Sequence, residues 1–160
     1  MTNAPSPASS VHAQDSAAVE SLYRALLNAW NVRDAGAFAA LFDAEGHVVG
    51  FDGSEMHGPA EIASTLGRIF ADHPTAAYVA KVREVCFPAP HVAILRAVAG
   101  MVPPGQTDLN PAVNAIQTLV ATRAAGEWRI ILFQNTPAQF HGRPELSEAL
   151  TDELRRVLPV

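Results

Sequence analysis

No run of the chain approaches the roughly 18 consecutive apolar residues that a membrane-crossing helix needs. The first residues also lack the basic start and apolar stretch of a signal peptide. The expected compartment is therefore the cytoplasm, with no membrane partner. Cysteine is nearly absent: Cys86 stands alone, so no internal disulfide can form. Flanked by Val85 and Phe87, it reads as a small buried hydrophobe rather than a reactive thiol. Basic charge is scarce as well. Eleven Lys and Arg face 16 Asp and Glu, a net charge of −5 with no basic block, which speaks against nucleic acid as a partner. A glycine-rich phosphate loop and a Gly-x-Ser-x-Gly turn are both missing, so nucleotide hydrolysis and serine esterase chemistry find no support and no cofactor is expected. No two of the six histidines are spaced i, i+4, and no metal site is expected either.

What remains is a 160-residue chain that is 49% hydrophobic, enough for one domain to bury about two-thirds of its extended surface. Residues 1–14, rich in Ser, Ala and Pro, are expected to be a disordered tail, and residues 15–158 a single domain. Val19, Leu22, Leu26 and Trp30 recur at helical spacing behind a cap at Asp15 or Ser16. Asp34 caps a short second helix, and Gly58-Pro59 opens a third that ends at His73-Pro74. Between them, His47 to Phe51 and the Asp52-Gly53 turn form a small hairpin. From Tyr78 onward the pattern changes to four long strands, 78–87, 91–102, 113–122 and 128–136, followed by a helix from Pro144 to Leu158. Strands that long must twist and coil. Three helices on the concave side would then leave a hollow.

Two segments carry a resemblance. Asn31-Val-Arg-Asp-Ala-Gly-Ala-Phe-Ala-Ala-Leu-Phe42 and Gly58-Pro-Ala-Glu-Ile62, in this order of elements, resemble the nuclear transport factor 2-like superfamily, which includes ketosteroid isomerase and the SnoaL-like polyketide cyclases. Trp128-Arg-Ile-Ile-Leu-Phe-Gln-Asn-Thr-Pro137 followed by Phe140-His-Gly-Arg-Pro144 is similar to the SgcJ/EcaC family. The resemblance implies an α+β cone-shaped fold, with a curved antiparallel or mixed sheet and three N-terminal helices enclosing a pocket. It also implies a frequent homodimer. The catalytic groups of ketosteroid isomerase do not carry over: Leu26, Gly50 and Thr118 fall where its tyrosine, base and strand acid would be. Isomerisation by that mechanism is disfavoured.

Other residues are candidates for chemistry. Asp52 is the nearest carboxylate to the missing base, although aspartate before glycine ordinarily makes the turn. His57 precedes the third helix, where an imidazole tends to stay neutral and can act as a base. Asn135, near the end of the last strand, is expected inside as an amide that anchors a ligand or a loop. Alternation places Ala93, Leu95, Ala97, Ala99 and Met101 inward, together with Asn114 and Thr118, and sends Gln117 and Arg96 outward. Trp30, Tyr23, Tyr78 and phenylalanines such as Phe133 can wall an apolar pocket. The ligand-binding set is then Trp30, Tyr78, Met101, Asn114, Thr118 and Phe133.

Three functions fit. The first is a small-molecule binding protein or enzyme of the SgcJ/EcaC type, taking a hydrophobic, polyketide- or terpenoid-like compound. The second is an acid–base isomerase, cyclase or hydratase using His57 or Asp52 with Asn135. The third is a non-catalytic dimeric scaffold, paired through the convex sheet face where Val92, Ile94 and Val98 alternate.

Overall fold

The computed structural model describes residues 7–159. The first helix, α1, runs Pro7–Asn31, nine residues further back than a cap at Asp15 would allow. Residues 7–14 are thus helical and not tail, while residues 1–6 lie outside the described residues. Asp15 has a different job. Its carboxylate accepts from Arg123 at 2.8 Å and from the Trp128 indole at 3.4 Å, tying α1 to the far end of the sheet.

Asp34 caps α2 (Ala35–Ala39) as expected, accepting from the Ala37 amide at 2.8 Å. Strands β1 (Phe42–Val49) and β2 (Glu55–His57) form the hairpin, and α3 (Gly58–Asp72) follows at once with proline in its first turn. The long strands are β3 (Ala77–Ala89), β4 (Val92–Val102), β5 (Ala115–Ala124) and β6 (Glu127–Pro137), and α4 (Pro144–Arg155) closes the chain.

The six strands form one mixed sheet in the order β2-β1-β6-β5-β4-β3. Every neighbouring pair is antiparallel except β1 with β6, which is parallel. Register shifts interrupt β1, β3 and the β5–β6 pair. Each shift bends its strand and raises the local twist. The concave face carries Ala93, Leu95, Ala97, Leu119, Ala121, Ile130 and Phe133 into one core with Val19, Tyr23 and Leu26 of α1 and Ile62 and Leu66 of α3.

Pairing decides which side each residue takes. Leu95 faces Leu119, Ala97 faces Gln117 and Ala99 faces Ala115. The inner residues of β5 are therefore the odd-numbered ones, and Gln117 is fully buried. Thr118 lies on the outer face, the reverse of the expectation, because a slip of one residue exchanges the faces of a strand. In β6 the partners of Val120 and Ala121 are Leu132 and Ile130. Ile131 is the bulged residue, and so both Ile130 and Phe133 can be buried.

On the outer face, α4 packs Leu150 and Leu154 against Val98, Leu109 and Ile116. Val98 is thus covered by the chain's own helix. Arg96 finds the carboxylate expected of an outer-face arginine, Glu84 at 2.8 Å. Cys86, expected to be buried, is exposed, since it pairs with Ile94 on this outer face.

Candidate functional site

A cavity of about 370 Å³ opens between the helices and the concave sheet, within the roughly 300–1,000 Å³ usual for small-molecule sites. Its walls are apolar: Leu27 and Trp30 of α1, Phe38 of α2, Leu66 and Ile69 of α3, and Val48, Met101 and Phe133 of the sheet. The exposed residues among its lining are Asp52, Ser54 and Glu55, which mark the mouth at the β1–β2 turn.

Five expected site residues meet in this cavity along with Asp52: Trp30, Tyr78, Met101, Phe133 and Asn135. Trp30 is held by its indole N–H, which donates to the Ala76 carbonyl at 2.9 Å. Its ring lies edge-on to Phe70 at 5.2 Å and tilted against Tyr78 at 5.5 Å. Such pairs fix aromatic orientation beyond simple burial. Tyr78 is clamped through its backbone. Asn31 donates to the Tyr78 carbonyl at 3.0 Å and accepts from the Tyr78 amide at 2.7 Å, so the end of α1 sets the start of β3.

Asp52 makes the turn. Its carboxylate accepts from the Ser54 amide at 2.9 Å and the Ser54 hydroxyl at 2.6 Å. Those bonds, the hydroxyl first, hold its carboxyl below the usual range, which weakens it as a base. Gly53 takes φ +87° to complete the turn.

Three expected residues lie elsewhere. His57 is no part of the cavity lining, although its β2 neighbours Glu55 and Met56 are. Its ring stacks edge-on against His47 at 4.4 Å, and its Nε2 lies 3.2 Å from Glu55 at the surface. Asn114 sits beneath α4, donating to the Thr151 hydroxyl at 2.9 Å, because the turn Pro111–Val113 ends there before β5 begins. Thr118 faces outward for the register reason already given. Among the described residues, no three histidine, cysteine or carboxylate side chains converge as a metal site would require.

Sequence reasoning named Tyr23, Tyr78 and Asn135 but sent Gln117, the residue that links them, to the outer face. Tyr23, fully buried on α1, donates to the Gln117 carbonyl oxygen. Gln117 donates to Asn135 at 3.3 Å, and Asn135 donates to the Tyr78 hydroxyl oxygen at 3.0 Å. Burial pushes the Tyr78 phenol up to about 12 against the opposing bond from Asn135, and it raises Tyr23 as well. Both phenols hold their protons at neutral pH. The available signal was Tyr23 itself, three residues before Leu26 and thus on the same helical face.

A profile described as the SnoaL-like domain matches residues 19–134. No curated protein matches the sequence. Among solved structures, a domain of unknown function with a cystatin-like fold from Nostoc punctiforme is 24% identical, with a TM-score of 0.74 over 83% of each chain. A ketosteroid isomerase-like protein from Erwinia carotovora atroseptica is 19% identical, with a TM-score of 0.60 over 76% of this chain and 95% of that one. A putative calcium/calmodulin-dependent protein kinase type II association domain from Thiobacillus denitrificans is likewise 19% identical, with a TM-score of 0.66 over 75% of this chain and 94% of that one. At these identities the likeness is one of fold.

Proposed function

We propose, from the premise that the chain belongs to the SnoaL-like domain family, that it binds a small hydrophobic molecule in the cavity beneath Trp30. One observation carries the reading: a mostly apolar hollow whose polar lining is limited to Asp52, Ser54 and Glu55 at the mouth, Thr65 of α3 and the Tyr78–Asn135 pair. A purely structural core would fill such a space, since protein interiors pack about as densely as organic crystals. Rings of the polyketide or terpenoid kind suit these walls. The strand Trp128–Pro137 supports a place near the SgcJ/EcaC group. Acid–base catalysis by His57 or Asp52 has less support, because the first lies outside the cavity and the second is engaged by Ser54.

Fluorescence titration with the uncharged probe N-phenyl-1-naphthylamine tests this. Saturable binding to the wild type that disappears in Met56→Trp, where a larger ring fills the mouth, is the expected result. No binding, or equal binding by the filled variant, overturns it.

The half-buried Ile94, Val120 and Leu132 on the outer face, left uncovered where α4 takes Val98, favour a homodimer through that part of the sheet. Sedimentation showing a monomer at high concentration would remove that proposal.

A further inference from the structure

The direction of the buried hydrogen-bond chain follows from its first member. Tyr23 is 0% exposed, and its hydroxyl has one side-chain partner among the described residues, Gln117. A phenol proton in a dry core must be given to an acceptor, or the group bears its full desolvation cost. The Gln117 oxygen therefore faces Tyr23, which turns the Gln117 amide group toward Asn135. That in turn fixes the Asn135 oxygen toward Gln117 and its amide group toward Tyr78. Reversing either amide would strand the Tyr23 proton or set two like dipoles against each other. At the end of the chain, the Tyr78 hydroxyl oxygen accepts from the Asn135 amide, and the hydroxyl itself donates to no acceptor among the described residues. Its ring lines the cavity.

We infer that Tyr78 offers its hydroxyl proton to the cavity as an oriented hydrogen-bond donor, aimed by Tyr23 through Gln117 and Asn135, and that the preferred guest is an apolar ring compound bearing a carbonyl oxygen. The inference rests on the reading of the cavity as a binding site. Successive donors pointing the same way polarise one another, so the last is a better donor than an isolated phenol. Protonation up to about pH 12 keeps it a donor throughout the physiological range. Tyr23, Gln117 and Asn135 are positioning residues in this scheme, and Tyr78 is the group that selects.

Two ligands of one shape separate donor selection from apolar fit: 1-tetralone, which carries a carbonyl, and tetralin, which does not. By NMR titration the wild type should bind the ketone about 3- to 10-fold more tightly, the worth of one net hydrogen bond. Tyr78→Phe should abolish that preference while keeping tetralin binding. Tyr23→Phe should reduce it without touching the cavity wall. A preference that survives Tyr78→Phe, or that the wild type never shows, overturns the inference. A second readout needs no ligand. With tyrosine labelled at the ring carbon that bears the hydroxyl, Tyr23→Phe should move the Tyr78 resonance, because the two amides lose the bond that orients them. An unmoved resonance overturns the hydrogen-bond chain whatever binds. If neither ring compound binds the wild type, the binding reading fails and the choice of guest falls with it, while the resonance still decides the chain.

Discussion

The side-chain amide of Asn135 on β6 donates to the hydroxyl of Tyr78 on β3 across 3.0 Å, although β5 and β4 lie between their strands. In a flat sheet, three strand spacings would separate those strands by about 14 Å. The bond therefore records how far the sheet has coiled. Tyr78→Phe breaks it without removing the ring, and the vacated amide can turn to water in the cavity. The expected loss of stability is about 1 kcal/mol, a fall in melting temperature of roughly 2–4 °C. A much larger fall in calorimetry would mean that the bond sustains the curvature and does not merely report it.

Trp30→Ala should leave the fold standing and weaken the cavity. The ring is only half-buried and packs on Phe70 and Tyr78, so its loss costs less than the ~3–5 kcal/mol of a fully buried tryptophan. Losing roughly 50 Å² of apolar contact at 25 cal/mol/Å² weakens a hydrophobic guest about tenfold. Circular dichroism and titration with N-phenyl-1-naphthylamine check both halves. Unchanged affinity would take Trp30 out of the site.

Gly46→Ala should be harmful for a backbone reason. A Cβ there would stand 2.7 Å from the Ile130 carbonyl oxygen and 2.9 Å from that of Asp43, and neither can swing away as a side chain would. The cost is about 1–3 kcal/mol, with the β1–β6 junction the first region to loosen. Hydrogen exchange at Leu132 and Phe133, which pair with β1, reads this directly. Wild-type protection in the variant would refute it.

The attachment of α4 should depend on acid. Bonds from Arg83 and Lys81 hold the Glu153 carboxyl down at about 2, against 4.5 for a free side chain. A depressed carboxyl stabilises the fold above its unfolded value and loses that contribution as pH falls through the folded one. The window is therefore pH 4.5 down to about 2. Because the group is near the surface, the contribution is about 1 kcal/mol or less. Urea melts of wild type and Glu153→Gln should differ at pH 6 and converge near pH 2; a gap independent of pH would rule the ion pairs out as its cause.

Much of the architecture was legible because long β-type segments and helices with proper caps leave few alternatives. Asp34 and Gly58-Pro59 each marked a boundary through local chemistry alone. Side-chain direction in β5 was not legible. Its two faces read Ala115, Gln117, Leu119, Ala121 and Ile116, Thr118, Val120, Thr122, and the one polar residue on the truly buried face is the one that made it look exposed. Gln117 is tolerated inside because Tyr23, 94 positions away, donates to its oxygen and Asn135 accepts from its amide. No local pattern contains that fact. The same holds for Asn31, whose grip on Tyr78 exists only once α1 has met β3.

The mouth is built from the three-residue strand β2 and its turn, which pair with β1 alone, while β3 through β6 stand apart from it. The rim and the Tyr78–Asn135 pair are thus carried by different strands. Grafting a different loop between Val49 and Gly58 should reshape the mouth while leaving the Tyr78–Asn135 hydrogen bond in place. That short segment can change length or sequence without disturbing the pairing of β3 through β6.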